Sequence, residues 1–111
     1  DEHSVTQIFS NLIDNAIKFT PKGKVTIEVN DNDKSQLTVA VKDTGIGIAE
    51  EYMPNIFKPF TQAEQGYSRK FDGNGLGLAL VKEYCTINNA NISFKTSKNE
   101  GTSFFVSFKK N

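Results

Sequence analysis

"SVTQIFSNLIDNAIKFTPKGKVTIEVN", residues 4 to 30, changes its period partway along, and that change decides the fold. Val5, Ile8, Phe9, Leu12, Ile13, Ala16 and Ile17 recur at helical spacing until Pro21 and Gly23 stop the run. Ser4 with Gln7 has the pattern of a capping box, so a helix is expected over about residues 5 to 19. Past the break, Val25, Ile27 and Val29 alternate with polar residues, which is the two-residue period of a strand with one buried face.

The turn "DNDK" at 31 to 34 leads into "QLTVAVKD", where Leu37, Val39 and Val41 alternate again, so the two runs read as an antiparallel hairpin. Residues 45 to 74 hold no sustained period beyond a short helix expected at 49 to 56, and a connection of that length is either functional or disordered. "GLGLALVKEYCTIN" sets Leu76, Leu80, Val81 and Tyr84 on one helical face. "ANISFKTS" and "TSFFVSFK" then read as two more strands joined at "KNEG". Hairpins with helices collected on one face form a two-layer α/β sandwich of the α+β class.

A chain of 111 residues has room for one core, so a single domain spanning 1–111 is expected. Thirteen basic and thirteen acidic residues cancel, and no Lys/Arg run exceeds two residues, which argues against nucleic acid or a membrane surface as a partner. Cys85 is the only cysteine, so there is neither a disulfide nor a thiolate metal cluster, as suits a reducing compartment. The chain opens in polar sequence, closes on "FKKN", and reads as a module of something longer.

Several positions can carry chemistry. Asn11, Asn15 and Lys18 fall within about 60° of one another on the first helix, beside its apolar stripe. They are either ordinary surface groups or a rim whose amide oxygens suit a hard cation such as Mg²⁺. Asp43 ends a strand and is followed at once by Gly45 and Gly47, which let another group approach the backbone closely. That is either a plain Asp-Thr-Gly turn or a carboxylate placed to accept from an exocyclic amine such as adenine's. Gly73, Gly75 and Gly77 come where the second helix begins, either as a flexible linker or as free N–H groups facing an anion. Arg69, the one arginine, lies in the aperiodic stretch and is either a solvated charge or a phosphate contact. His3, Cys85 and the serines form no triad-like grouping.

The order of these signals is more specific than any one of them. "NLIDNAIKFT", "DTGIGI", "IFKPFTQ", "GNGLGLAL" and "GTSF" together resemble, along almost the whole chain, the ATP-binding catalytic domain of sensor histidine kinases. That domain belongs to the superfamily that also holds gyrase, the ninety-kilodalton heat-shock chaperone and mismatch-repair ATPases. The resemblance implies a Bergerat-type α/β sandwich, with a mixed sheet and its helices on one face, that binds ATP with Mg²⁺. In a full-length protein it implies transfer of the γ-phosphoryl group to a histidine on a separate dimerisation hairpin, with a response-regulator receiver domain downstream.

By the same resemblance, Asn15 is the Mg²⁺ ligand, Asn11 stands one turn before it, and Lys18 reaches a phosphate. Phe19 sets a ring against the nucleotide, Asp43 holds the adenine amine, and Gly45 and Gly47 admit the base. Gly73, Gly75 and Gly77, with the backbone at Leu76 and Leu78, line the phosphates, and Thr102 lies near the adenine. Residues from about 55 to 74 are implied to form a nucleotide lid, with Phe57 and Phe60 as its apolar plug and Arg69 as its phosphate-sensing charge. Asp72 and Asn74 stand where the family more often has glycine and a hydroxyl residue, and "NNAN" at 88 to 91 lacks a glycine turn, although asparagine tolerates positive φ.

Three other readings remain open. An ATP hydrolase of the chaperone or gyrase branch needs a glutamate base where this chain has Asn11, an amide unable to take a proton from water. A stand-alone serine kinase of the anti-sigma type belongs to the same superfamily. A nucleotide-binding pseudokinase module would use the fold for docking alone. The domain is expected to be cytoplasmic, whether or not its parent is membrane-anchored.

Overall fold

The structure, a computed structural model, describes residues 2–58 and 77–110. Helix α1 (Glu2–Lys18) leads to β1 (Val25–Asn30) and β2 (Gln36–Asp43), and a short 3-10 helix at Glu50–Asn55 follows. Helix α2 (Gly77–Ile87), β3 (Asn91–Ser97) and β4 (Gly101–Lys109) complete the order. Every strand expected from alternation is present, with ends shifted by no more than a residue.

The four strands form one sheet in the order β1-β2-β4-β3, and all three pairings are antiparallel. β3 runs parallel to β2 after the excursion through α2, and β4 then folds back into the gap between them. The mixed sheet implied by the resemblance is therefore not seen among the described strands, because β4 separates the two that run the same way. Register puts Leu37, Val39 and Val41 of β2 opposite Phe108, Val106 and Phe104 of β4, making one continuous apolar face.

On that face Ile8, Leu12 and Ala16 of α1 pack with Leu78, Val81 and Cys85 of α2 against Val41, Phe104 and Val106. Each fully buried Leu, Ile, Val or Phe side chain among them stabilises the fold by about 1.5–3 kcal/mol. This is the two-layer α+β sandwich that the alternation of periods predicts.

Local readings are corrected at three places. Ser4 is not a cap, since α1 starts at Glu2 and Ser4 lies inside it, 2% exposed. The earlier start is visible in Thr6, whose hydroxyl donates to the Glu2 carbonyl at 2.9 Å. Ser4 Oγ accepts from Asn88 Nδ2 at 2.8 Å, and the same amide donates to the Tyr84 carbonyl at 2.8 Å, so one side chain ties the head of α1 to the tail of α2. A small hydroxyl suits a tight buried contact as well as it suits a helix end. The second correction concerns α2, whose buried stripe is Leu78, Val81 and Cys85, whereas Leu80 is 38% exposed and Tyr84 only partly buried. Leu76 lies outside the described residues. Residues 78 to 81 are all apolar, so two stripes satisfy helical spacing and only the position of α1 selects between them.

β1 also departs from its pattern. Ile27 and Val29 alternate as a buried face would, yet they are 52% and 64% exposed, because the helix layer lies over the inner strands and leaves this edge open. Beyond α2, Asn89 adopts φ 54° and the Ala90 N–H closes on the Cys85 carbonyl at 2.8 Å, so asparagine makes the left-handed turn without a glycine.

Candidate functional site

The site is organised around the end of β2. Asp43 is 8% exposed, and its Oδ1 accepts from the Gly45 N–H at 2.9 Å and the Thr102 N–H at 3.1 Å. Thr102, near the start of β4, is 3% exposed. Two groups far apart in sequence thus meet on one carboxylate oxygen, and such charge-assisted bonds hold the rotamer firmly. Among the described residues Oδ2 accepts no hydrogen bond, which leaves an acceptor fixed in direction.

The "DTGIGI" loop is moored on three sides. The Thr44 N–H donates to the Lys24 carbonyl at 3.1 Å and Thr44 Oγ1 accepts from the Lys24 N–H at 2.9 Å, which joins the loop to the approach to β1. The Ile46 N–H donates to the Phe19 carbonyl at 3.3 Å, just past the end of α1. On the β3–β4 side, the Ile46 carbonyl accepts from the Asn99 N–H at 2.7 Å, and the Ile48 N–H donates to Thr96 Oγ1 at 2.9 Å.

The glycines serve this packing. A Cβ on Gly45 would strike the Phe19 carbonyl, and Gly47, at φ 78°, lies with its α-carbon against the Ser97 carbonyl. The close approach they permit is first to the protein's own backbone.

Helix α1 delivers the other candidates to the same end of the molecule. The Asn15 carbonyl accepts from the Phe19 N–H at 3.0 Å, and Phe19, 5% exposed, in turn holds the loop through its carbonyl. Asn11, Asn15 and Lys18 are half-buried, and none of their side chains hydrogen-bonds a described residue. Thr20 Oγ1, against Gly45, is the one buried side-chain polar atom without a partner among the described residues.

The structure therefore brings Phe19, Asp43, Gly45, Gly47 and Thr102 together, with Asn15 one helical turn before Phe19. Gly77 opens α2, and the Leu78 side chain is wholly in the core, so it does not itself face a ligand. Phe57 stands edge-on to Phe94 and Phe104, with centroids 5.9 and 6.3 Å away, which seats the apolar segment on the sheet. Arg69, Gly73, Gly75, Leu76 and Phe60, with most of the stretch read as a lid, lie outside the described residues.

Sequence reasoning passed over Thr96. Its hydroxyl meets the Ile48 N–H, the Gly101 carbonyl at 3.2 Å and Thr102 Oγ1 at 2.8 Å. The signal was present, since Ile92 and Phe94 set the inward phase of β3 and a threonine follows where an aliphatic residue is expected.

The family model described as "Histidine kinase-, DNA gyrase B-, and HSP90-like ATPase" matches residues 1–111. The autoinducer 2 sensor kinase/phosphatase LuxQ of Vibrio parahaemolyticus is 37% identical over 111 residues, covering 96% of this chain and 13% of that protein. The hybrid signal transduction histidine kinase L of Dictyostelium discoideum is 42% identical over 113 residues, covering 96% of this chain and 7% of that protein. The chain thus spans a small fraction of the length of these curated relatives.

Among solved structures, full-length ShkA in complex with AMPPNP superposes with a TM-score of 0.81 at 30% identity, covering 97% of this chain and 22% of that one. The catalytic domain of histidine kinase ThkA gives 0.80 at 29% identity, covering 99% of this chain and 68% of that one. The first of these relatives is named as a sensor kinase/phosphatase and the second as a signal transduction histidine kinase, and the ThkA structure is that of a histidine kinase catalytic domain. With its whole length matched and its site assembled at the end of β2, this chain belongs to the histidine kinase-, DNA gyrase B- and HSP90-like ATPase family.

Proposed function

We propose that this domain binds ATP with Mg²⁺ and, within its parent protein, presents the γ-phosphoryl group to a histidine on a separate dimerisation hairpin, from which a receiver domain is charged. The observation that carries this reading is the Asp43 carboxylate, one oxygen pinned by two backbone N–H groups and the other left as an acceptor among the described residues. An acceptor so fixed selects a donor such as the 6-amino group of adenine.

In this reading Thr102 borders the base and Phe19 sets its ring against the nucleotide. Asn15 supplies an amide oxygen to the cation, with Asn11 one turn earlier, and Lys18 reaches a phosphate. No three His, Cys, Asp or Glu side chains group as a metal cage among the described residues. The Asn15 amide oxygen would hold Mg²⁺ together with the nucleotide, and the ion would supply neutralisation of phosphate charge. Asn11 cannot accept a proton from water, which favours phosphoryl transfer over hydrolysis. Catalysis is then positioning and charge stabilisation, and the isolated domain turns over little. The domain works in the cytoplasm without touching nucleic acid or lipid. No described helix is long and apolar enough to cross a membrane.

Calorimetric titration of the 111-residue chain with ATP and Mg²⁺ tests the reading. Binding is expected to weaken in Asp43→Asn and to lose its Mg²⁺ dependence in Asn15→Ala. An Asn15→Ala variant that binds like the parent would remove the metal assignment, and no heat from the parent at millimolar ATP would leave only a docking module.

A further inference from the structure

We infer that Thr96 sets the hydrogen-bond polarity of Thr102 and so sharpens the choice of a 6-amino over a 6-oxo purine. The inference rests on the reading of Asp43 and Thr102 as the base end of a nucleotide site. Thr96 itself is a positioning residue, placed behind Thr102 on the neighbouring strand in the Thr96–Thr102 register pair.

The number of available protons fixes the polarity. A hydroxyl has one proton to donate and two lone pairs. Thr96 Oγ1 already accepts from the Ile48 N–H at 2.9 Å, and it has both the Gly101 carbonyl at 3.2 Å and Thr102 Oγ1 at 2.8 Å within reach. If Thr96 donates to the Gly101 carbonyl, Thr102 donates to Thr96 and every capacity of the Thr96 hydroxyl is used. If Thr96 donates to Thr102, the Gly101 carbonyl loses a partner and the Thr102 proton, on a side chain 3% exposed, has no other acceptor among the described residues. Burial makes an unpaired donor costly, so the first arrangement holds in the free domain.

Thr102 then shows only lone pairs to a ligand, beside a carboxylate that is also only an acceptor and that its own N–H contacts at 3.1 Å. Two adjacent acceptors match the two N–H bonds of one exocyclic amine. A 6-oxo group brings lone pairs to both and is repelled.

Binding of ADP and of IDP to the 111-residue chain, read as the ratio of their dissociation constants, tests this against Thr96→Val, Thr96→Ser and Thr102→Val. In Thr96→Val the Thr102 hydroxyl is released to donate, and the preference for ADP is expected to fall roughly three- to tenfold, the size of one neutral hydrogen bond. Thr96→Ser keeps the parent ratio. The double variant Thr96→Val/Thr102→Val matches Thr102→Val alone, because Thr96 acts on selectivity only through Thr102.

A ratio unchanged in folded Thr96→Val, or a further fall in the double variant, overturns the inference while leaving the nucleotide site intact. If Thr96→Val does not fold, Thr96→Ala takes its place with the same expectation, and Thr102→Val with the parent's ratio overturns the inference without it. ADP binding by the parent that is sensitive to Asp43→Asn is the control. Its absence overturns the proposed function and this inference together.

Discussion

One carboxylate oxygen links two distant parts of the candidate site. Asp43 Oδ1 joins the turn that follows β2 to the start of β4, through Gly45 and Thr102. In Asp43→Asn the amide oxygen can keep accepting from those two N–H groups, while an NH₂ faces the ligand where an acceptor stood. The fold is expected to survive, and adenine nucleotide binding to weaken by about 1.5–3 kcal/mol, the range for a hydrogen bond to a charged group, as read by calorimetry. Cys85 shows the opposite kind of chemistry. Burial in the helix layer pushes its thiol above the ordinary cysteine pKa, so it stays protonated at neutral pH and is a poor nucleophile. The folded state therefore holds this proton more tightly than the unfolded chain. Stability from this source is intact below the ordinary value of 9.0 and declines as the pH rises through it. Denaturant melts between pH 8 and 10 are expected to show a slope that Cys85→Ala reduces, and a thiol reagent at pH 7 is expected to label Cys85 at the rate of unfolding.

The secondary-structure elements differ in how fully their own residues explain them. Alternation marks all four strands, and helical period marks α1, because both are local properties of the backbone. The seam between α1 and α2 is not local. Asn88 reaches back across the helix pair to Ser4, and Asn88→Ala would remove one hydrogen bond from the buried Ser4 hydroxyl and one from the Tyr84 carbonyl, which keeps the backbone N–H of residue 88 at 3.2 Å. A loss of about 1–2 kcal/mol is expected in urea melts, with nucleotide affinity little changed because the seam lies away from Asp43. At the open edge the expectation reverses. Val29, 64% exposed on β1, buries little, so Val29→Thr is expected to shift stability by less than about 0.5 kcal/mol in the same melts. A larger loss would mean that β1 is covered in solution.

Among the described residues, a continuous core underlies the candidate site. Leu12, Val81 and Val106, all 0% exposed, join helix to helix and both to the sheet. Leu12→Ala is expected to cost about 2–5 kcal/mol, a large share of the stability of a small domain. Ligand binding acts on the same equilibrium. ATP·Mg²⁺ at a hundred times its dissociation constant is expected to stabilise the parent by about 2.7 kcal/mol in thermal melts. Asp43→Asn at that concentration should show a smaller rise in Tm. An equal rise in both would place the base away from Asp43.

What the chain determined unaided was whatever repeats over a few residues: the switch from helix to strand after Pro21, the two hairpins, and the ordered "NLIDNAIKFT", "DTGIGI" and "GTSF" segments that mark the family. Composition and period cannot say which surfaces close on each other. Tertiary structure decided the sheet order, the stripe of α2 that faces α1, the exposure of Ile27 and Val29, and the contact of Thr96 with Thr102 beside Asp43. The physical reason is range: a backbone period is set by neighbouring residues, whereas a hydrogen bond between β2 and β4 exists only after distant segments have collapsed onto one core.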